Sequence, residues 1–215
     1  MDTLFSADSV LMRGLTRIAD VMILNFLFIV TSLPVLTLGA SLTALNFTAM
    51  RIGTGACNSV TADYFRSFRK NLRQATVLAL ALVALAGVLA AWYAVLTSSA
   101  LDAAAELVLL AIWYILAFGL ATTALFAFPY LASFEGRTRD VLRNALLLSW
   151  RHLPTSLATL AIALLSIGVT VFYPQAIGYG LIWLLIGFAG IAVANGFLFT
   201  RVFSKYIAAS TTGEA

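Results

Sequence analysis

Sulfur, imidazole and charge are all scarce in this chain. Cys57 is the only cysteine, so no disulfide can form within the chain and neither a zinc cluster nor a CxxC redox motif exists. His152 is the only histidine, which excludes a multi-histidine metal site and leaves it the role of an interfacial polar residue. Only 10% of the 215 residues are charged, against about 25% in an ordinary globular domain. No nucleophile elbow, HExxH helix, P-loop or GxGxxG turn is spelled out, and the acidic residues are scattered near the expected surface. The expectation is a chain with no catalytic residues, metal site or cofactor, and not an enzyme.

Apolar residues fill the space instead. They make up 62% of the chain, at a mean hydropathy of +0.99, more than a water-soluble fold of this size could cover. The net charge of +4 invites a nucleic-acid reading. The basic residues, however, come in short groups at the ends of apolar runs, so they act as topology signals and no nucleic-acid partner is expected. At about 20 residues per crossing, the length suits five or six crossings in one membrane domain. Asp2, Asp8 and an apolar run that begins only near Ile18 do not resemble a cleaved leader.

The chain is organised around Asn25–Phe47. Two apolar runs, Ile18–Leu33 and Leu38–Arg51, meet at Pro34, which no helix can pass through unbroken. Each run spans only about 21–24 Å at 1.5 Å per residue, against a hydrocarbon core of about 30 Å, so the pair is a short hairpin or a re-entrant loop. Polarity is concentrated here, in Asn25, Thr31, Ser32, Thr37, Ser41, Thr43, Asn46 and Thr48. The expectation is a turn near Pro34–Leu38 that reaches the outer half of the membrane, with freed carbonyls available to a ligand or partner.

Residues 2–17, with Leu4, Leu11 and Leu15 at helical spacing, predict a short surface helix ahead of the first run. Two stretches predict amphipathic elbow helices at the interface. In the first, Val60, Tyr64, Phe65, Phe68 and Leu72 share an apolar face beside Arg66, Arg69, Lys70 and Arg73. In the second, Thr138 is the expected N-cap and Arg139, Arg143 and Arg151 the basic face, with Trp150 on the apolar side. The remaining spans are Leu72–Leu96, Leu107–Leu131, Pro154–Tyr173 and Ile177–Thr200. All 13 Lys and Arg residues flank the apolar runs in four groups, and the connections 97–106 and 173–178 hold none. By the positive-inside rule both termini and both elbows are cytoplasmic. The predicted fold class is thus an all-α polytopic membrane protein of about six segments, N-in and C-in. Ser67–Leu72 aligns with Ser149–Pro154 at a spacing of 82 residues, compatible with a weak repeat of 37–98 and 105–173.

Asn25, Asn46 and Asn195 are costly in hydrocarbon unless paired. They read either as interhelical hydrogen bonds or as contacts to a substrate or ion. With Ser32, Pro34 and Thr37 they form the candidate binding set. Phe65, Phe68, Arg69, Lys70, Trp150 and Arg151 form the interfacial set. Asp20, three residues after Arg17, predicts a local ion pair. Gly187, Gly190 and Ala194 predict close approach of a neighbouring helix.

The run Asn25-x-Leu27, Ser32-Leu33-Pro34-Val35-x-Thr37-Leu38-Gly39-Ala40 and Thr43-Ala44-Leu45, followed by Phe65-x-x-Phe68-Arg69-Lys70-Asn71, resembles the YesL-like family of bacterial membrane proteins. Phe at positions 26 and 28, where the pattern suggests Trp, is a minor departure. The family's activity is not established. The resemblance implies a bacterial plasma-membrane location and the company of carbohydrate ABC-transporter components and glycoside hydrolases. Two functional classes follow: an accessory partner of a carbohydrate ABC permease, or a transporter or channel in its own right using the break at Pro34. A permease proper fits less well, since neither elbow carries an EAA-type segment. Membrane lipids and a second copy of the chain are the other expected partners.

Overall fold

The computed structural model describes residues 10–99, 102–173, 175, 178 and 180–212. Within them the chain is all-helical. The elements in order are α1 (Val10–Ser32), a 3-10 turn (Val35–Thr37), α2 (Leu38–Thr54), α3 (Val60–Ser98), α4 (Ala103–Ser133), α5 (Thr138–Arg151), α6 (Leu153–Phe172), a π turn (Trp183–Gly187) and α7 (Phe188–Thr212). Six of the helical stretches are long and apolar enough to cross a membrane: Gly14–Ser32, Val35–Thr54, Val60–Ser98, Ala103–Ser133, Leu153–Phe172 and Trp183–Tyr206.

The ends are set locally. α2 stops at Gly55, whose φ of 73° is left-handed. The N–H groups of Gly55 and Ala56 turn back to the carbonyls of Ile52 and Arg51, the pattern that satisfies orphan carbonyls at a helix end. Ser59 caps α3 through Ala62 N–H, and Asp102 caps α4 through Ala104 and Ala105. Arg137, not Thr138, occupies the N-cap of α5, and no side chain caps that end. Thr138 is already helical, so its hydroxyl is one position too late for the role.

The first elbow does not exist as a separate helix. Residues 60–73 are the opening turns of the 39-residue α3, which runs unbroken into the span. Neither Gly nor Pro interrupts Val60–Gly87, and a change from basic to apolar composition does not by itself break a helix. The buried face also differs from expectation. Val60 and Tyr64 are buried, but their companions are Asp63, Ser67 and Asn71, while Phe65 and Phe68 are half-buried. The second elbow is a discrete helix, α5, ended by the non-helical His152 (φ −115°, ψ 50°). The two copies of the 82-residue motif therefore sit in different settings, one inside α3 and one across the α5–α6 boundary. Residues 2–9 of the predicted surface helix, including Leu4, lie outside the described residues. Leu11 and Leu15 belong to the start of α1 and are exposed.

α1 and α2 form the expected hairpin and pack on the first half of α3. Contact between α2 and α3 is close because Gly39 has no side chain. A Cβ there would stand 2.3 Å from the Ala75 carbonyl oxygen and 2.9 Å from Ala79 Cβ, so small residues let the backbones touch. Two cores result. One gathers Leu24, Phe28, Ala44, Leu45, Ala49, Val60 and Tyr64 around the hairpin. The other joins Leu78, Phe126, Leu131, Val141, Ala145, Phe199 and Phe203 across α3, α4, α5 and α7. On α7 the close approach is made by Gly196, over the Met50 backbone at 3.4 Å, rather than by Gly190, which has nothing within 4 Å. Ala194 is exposed.

Candidate functional site

The residues around Pro34 satisfy one another. Thr37 Oγ1 lies 2.6 Å from the Thr31 carbonyl and 2.7 Å from that of Pro34. Ser32 Oγ donates to Ile29 O, and Thr31 Oγ1 to Leu27 O. Tyr64, fully buried on α3, brings its hydroxyl 2.5 Å from Thr31 Oγ1, and Ser41 donates to the same oxygen at 3.0 Å. Thr76 of α3 donates to Leu36 O at 3.0 Å and so seats the turn. The hydroxyls at positions 31, 32, 37 and 76 point at the carbonyls of Leu27, Ile29, Thr31, Pro34 and Leu36, so much of the polarity at the break is turned inward. What stays exposed at the turn is apolar, namely Leu33, Val35 and Leu36. Of the candidate binding set, Ser32 and Thr37 spend their hydroxyls on carbonyls beside the break.

Asn25 is an interhelical clamp. Its amide is fully buried and donates to the carbonyls of Trp183 (2.9 Å) and Leu184 (2.8 Å), while its Oδ1 accepts from Ala189 N–H at 3.0 Å. Trp183 and Leu184 open the π turn and Ala189 lies two residues past its end, so the clamp engages the stretch where the hydrogen-bond register of the helix is widened. Trp183 folds its ring over Gly187, where a Cβ would meet the indole at 2.6 Å, and its N–H reaches Thr170 Oγ1 at 2.9 Å. One asparagine therefore ties α1 to α7, and one tryptophan ties α7 to α6. The π turn carries no sequence signature.

Asn46 and Asn195 do not share a hydrogen bond, yet they line one cavity of about 420 Å³ between α1, α2, α4, α6 and α7. Its wall is otherwise apolar, with Phe28, Leu45, Phe128, Leu160 and Phe188 among the contributors. Asn46 Nδ2 donates to Leu42 O within its own helix. Asn195 is 7% exposed, and its buried Oδ1 has no partner in the protein.

A second recess of about 600 Å³ lies at the basic end, between the start of α3 and the α4–α5 connection. Arg66, Lys70, Asn71 and Gln74 line one side, and Phe134, Glu135 and Gly136 the other. Lys70 Nζ meets Glu135 at 2.7 Å, an exposed pair that holds the Glu135 carboxyl below its usual range, and Gln74 donates to Gly136 O. Arg69 and Arg73 are exposed on the same part of α3. Trp150 is not in this group; it packs edge-on against Phe118 and over Gly119. Arg151 stands over the Tyr206 ring.

Sequence reasoning missed the acid that latches this end. Asp63 is buried, not scattered on the surface, and accepts from Arg51 Nε at 2.8 Å; Arg66 is 3.6 Å away. Arg51 also donates to Ala56 O and lies over Phe47, pinning the 55–59 loop. Burial, reinforced by the Asp63 carboxylate, pushes the Cys57 thiol up to about 11. Arg17 and Asp20 form no ion pair among the described residues: Arg17 is exposed, whereas Asp20 is half-buried toward Cys57. Burial, then the nearby Lys205 and Arg151, hold His152 below its ordinary value, and its ring nitrogen is 3.0 Å from Tyr206 OH.

Residues 21–93 match the model of a family described as a protein of unknown function, DUF624. The matched stretch holds α1 from Val21, the break, α2 and α3 as far as Tyr93. No curated protein and no solved structure matches the chain.

Proposed function

We propose that the chain is a non-catalytic accessory subunit of a bacterial carbohydrate ABC importer, docking on its permease through the basic recess at the start of α3. The observation that supports this reading is the distribution of unspent polarity. The hydroxyls at the break serve the fold, whereas Arg66, Arg69, Lys70 and Arg73 present four cations on one exposed stretch, of which Arg66 stands 3.6 Å from Asp63 and Lys70 is held by the largely exposed Glu135. An exposed pair of this kind is worth about 0–1 kcal/mol, so a partner's carboxylate can take Glu135's place at small cost. The carbohydrate direction comes from the resemblance to YesL-like proteins, with which the DUF624 match is consistent. A transporter pathway through Pro34 is disfavoured by the internal pairing of Thr31, Thr37 and Leu36.

Copurification from native membranes tests the proposal. The wild-type protein should bring a permease with it, and Arg69→Glu with Lys70→Glu should lose that partner while still inserting in the membrane. Sugar or ion flux through the purified protein alone in liposomes would replace the accessory reading with the transporter one.

A further inference from the structure

We propose that the basic recess at the start of α3 holds the head of an anionic phospholipid, its phosphodiester on Lys70 and Arg66 and a head hydroxyl on Asn71. The permease of the docking reading would meet the same recess, but a lipid there is a ligand of the protein alone and does not depend on that reading. Two cations, Arg66 and Lys70, and one carboxylate, Glu135, line the recess, so its wall is net positive. Lys70 Nζ gives Glu135 one of its three N–H groups and keeps the others for an incoming anion. Arg66 stands 3.6 Å from Asp63, too far for a hydrogen bond, so its guanidinium donors are uncommitted. Asn71 is nine-tenths buried in the same wall, with Nδ2 donating to Ser67 and Oδ1 accepting nothing from the protein. In contrast to the amide oxygen of Asn195, that of Asn71 keeps accessible surface, so a donor entering the recess can reach it.

These features select the occupant. A phosphodiester accepts charge-assisted hydrogen bonds from Lys70 and Arg66, and a net-positive wall favours an anionic head over a zwitterionic one. The Ser67 carbonyl fixes the Asn71 amide, since only its nitrogen can donate there. The free oxygen then calls for a donor, which a hydroxyl of the head supplies. At roughly 30 Å³ per water-sized group, about 600 Å³ has room for a glycerophosphate head of about ten non-hydrogen atoms. The tail also has a place. Lys70, Gln74 and Val77 follow at four- and three-residue steps on one face of α3, and Val77 and Leu80 are exposed, so an apolar surface continues from the recess along the helix. A soluble phosphate would use none of it. Phosphatidylglycerol joins the charge, the hydroxyl and the chain in one molecule.

The test uses the full-length protein, purified without any permease, in neutral detergent micelles. Native mass spectrometry of a lipid titration compares phosphatidylglycerol with phosphatidylmethanol, a phosphodiester of equal charge without the hydroxyls, and with zwitterionic phosphatidylcholine. Phosphatidylglycerol should bind at least about fivefold more tightly than phosphatidylcholine, the weight of one cation near an anionic lipid. It should bind about threefold more tightly than phosphatidylmethanol, the weight of one membrane hydrogen bond. Lys70→Gln should shrink the first preference, and Asn71→Leu should erase the second while keeping the first. If Asn71→Leu does not fold, the two anionic lipids on the wild-type protein still decide the hydroxyl's part. Arg201→Gln removes the same charge from an exposed position on α7 outside the recess and should change neither preference. Equal binding of phosphatidylglycerol and phosphatidylcholine, or of phosphatidylglycerol and phosphatidylmethanol, overturns the proposal. So do equal losses in Lys70→Gln and Arg201→Gln, which would mean diffuse attraction to the basic end. Glycerophosphoglycerol, the deacylated head, binding as tightly as the lipid would make the occupant a soluble anion and overturn it too. No permease enters the assay, so these outcomes leave the docking reading to its own copurification test.

Discussion

Replacing Asn25 by leucine keeps its size and deletes three hydrogen bonds at once, two to the Trp183 and Leu184 carbonyls and one from Ala189 N–H. Hydrogen bonds between membrane helices average about 0.6 kcal/mol and reach about 1.7, so the substitution should cost about 2 kcal/mol and at most about 5. Even the lower figure is about a thirtyfold change in the folding equilibrium. The cost stays near the lower figure if the freed π-turn groups re-pair along α7 and rises toward the upper one if they remain bare. Asn46→Leu is the internal control, since its amide bonds only to Leu42 O one turn back in its own helix; it should cost less than about 0.5 kcal/mol. Reversible unfolding in mixed micelles, followed by tryptophan fluorescence from Trp183 and its neighbours, measures both. If Asn25→Leu proves no worse than Asn46→Leu, the clamp is not what joins α1 to α7 and the reasoning fails.

Gly39→Leu should prevent assembly of the α2–α3 pair, because the backbone carbonyl of Ala75 stands where its Cβ would go; loss of monodisperse protein with Gly190→Leu tolerated is the expected contrast. Cys57, with its thiol pushed up to about 11, should react with maleimide far more slowly at pH 7.5 than an exposed cysteine, and Asp63→Asn should speed it. Because the folded-state pKa of His152 lies below its unfolded value, the unfolded chain binds the extra proton first. Stability should therefore be intact above about pH 6.5 and fall as pH drops below it; melting curves from pH 7.5 to 5 should show a smaller acid-induced drop in His152→Gln.

Composition and period made the helices and the hairpin legible, because a 3.6-residue rhythm and an apolar surplus are properties of local sequence. Asn25 was also legible as an interhelical bond, since an amide in hydrocarbon must find a partner. Its partner was not, because a π turn is one extra residue in a helix and leaves no mark in hydrophobic periodicity. The break at Pro34 was visible, but not that Thr31, Thr37, Thr76 and Tyr64 would close it, since two of these come from α3, more than 25 residues away. The first elbow was misread for a related reason. A basic amphipathic segment looks the same whether it lies flat on a bilayer or continues a span, and only the unbroken backbone of α3 decides between them.

That continuity also fixes how far the hairpin travels. Thr76, which holds the Leu36 carbonyl, is three residues past Arg73 and 22 short of Ser98, the last residue of α3. At 1.5 Å per residue the turn lies about 5 Å beyond Arg73 and about 33 Å short of the far end, measured along the helix. Taking Arg66–Arg73 as the cytoplasmic flank that the positive-inside rule expects, we propose a turn at that height in the inner half of the bilayer, a shallower position than the outer half expected from the sequence. α1 and α2 then enter and leave on the same side, and the outer half is left to α3, α4 and the helices after them. The exposed Leu33, Val35 and Leu36 are consistent with such a tip, since a turn that emerged into water would leave them unsheltered. Spin labels at Leu36 and Ser99, in a Cys57→Ser background, should give a distance of about 30 Å or more. A separation below about 20 Å would place the turn beside the outer connection and restore a hairpin that crosses the whole membrane.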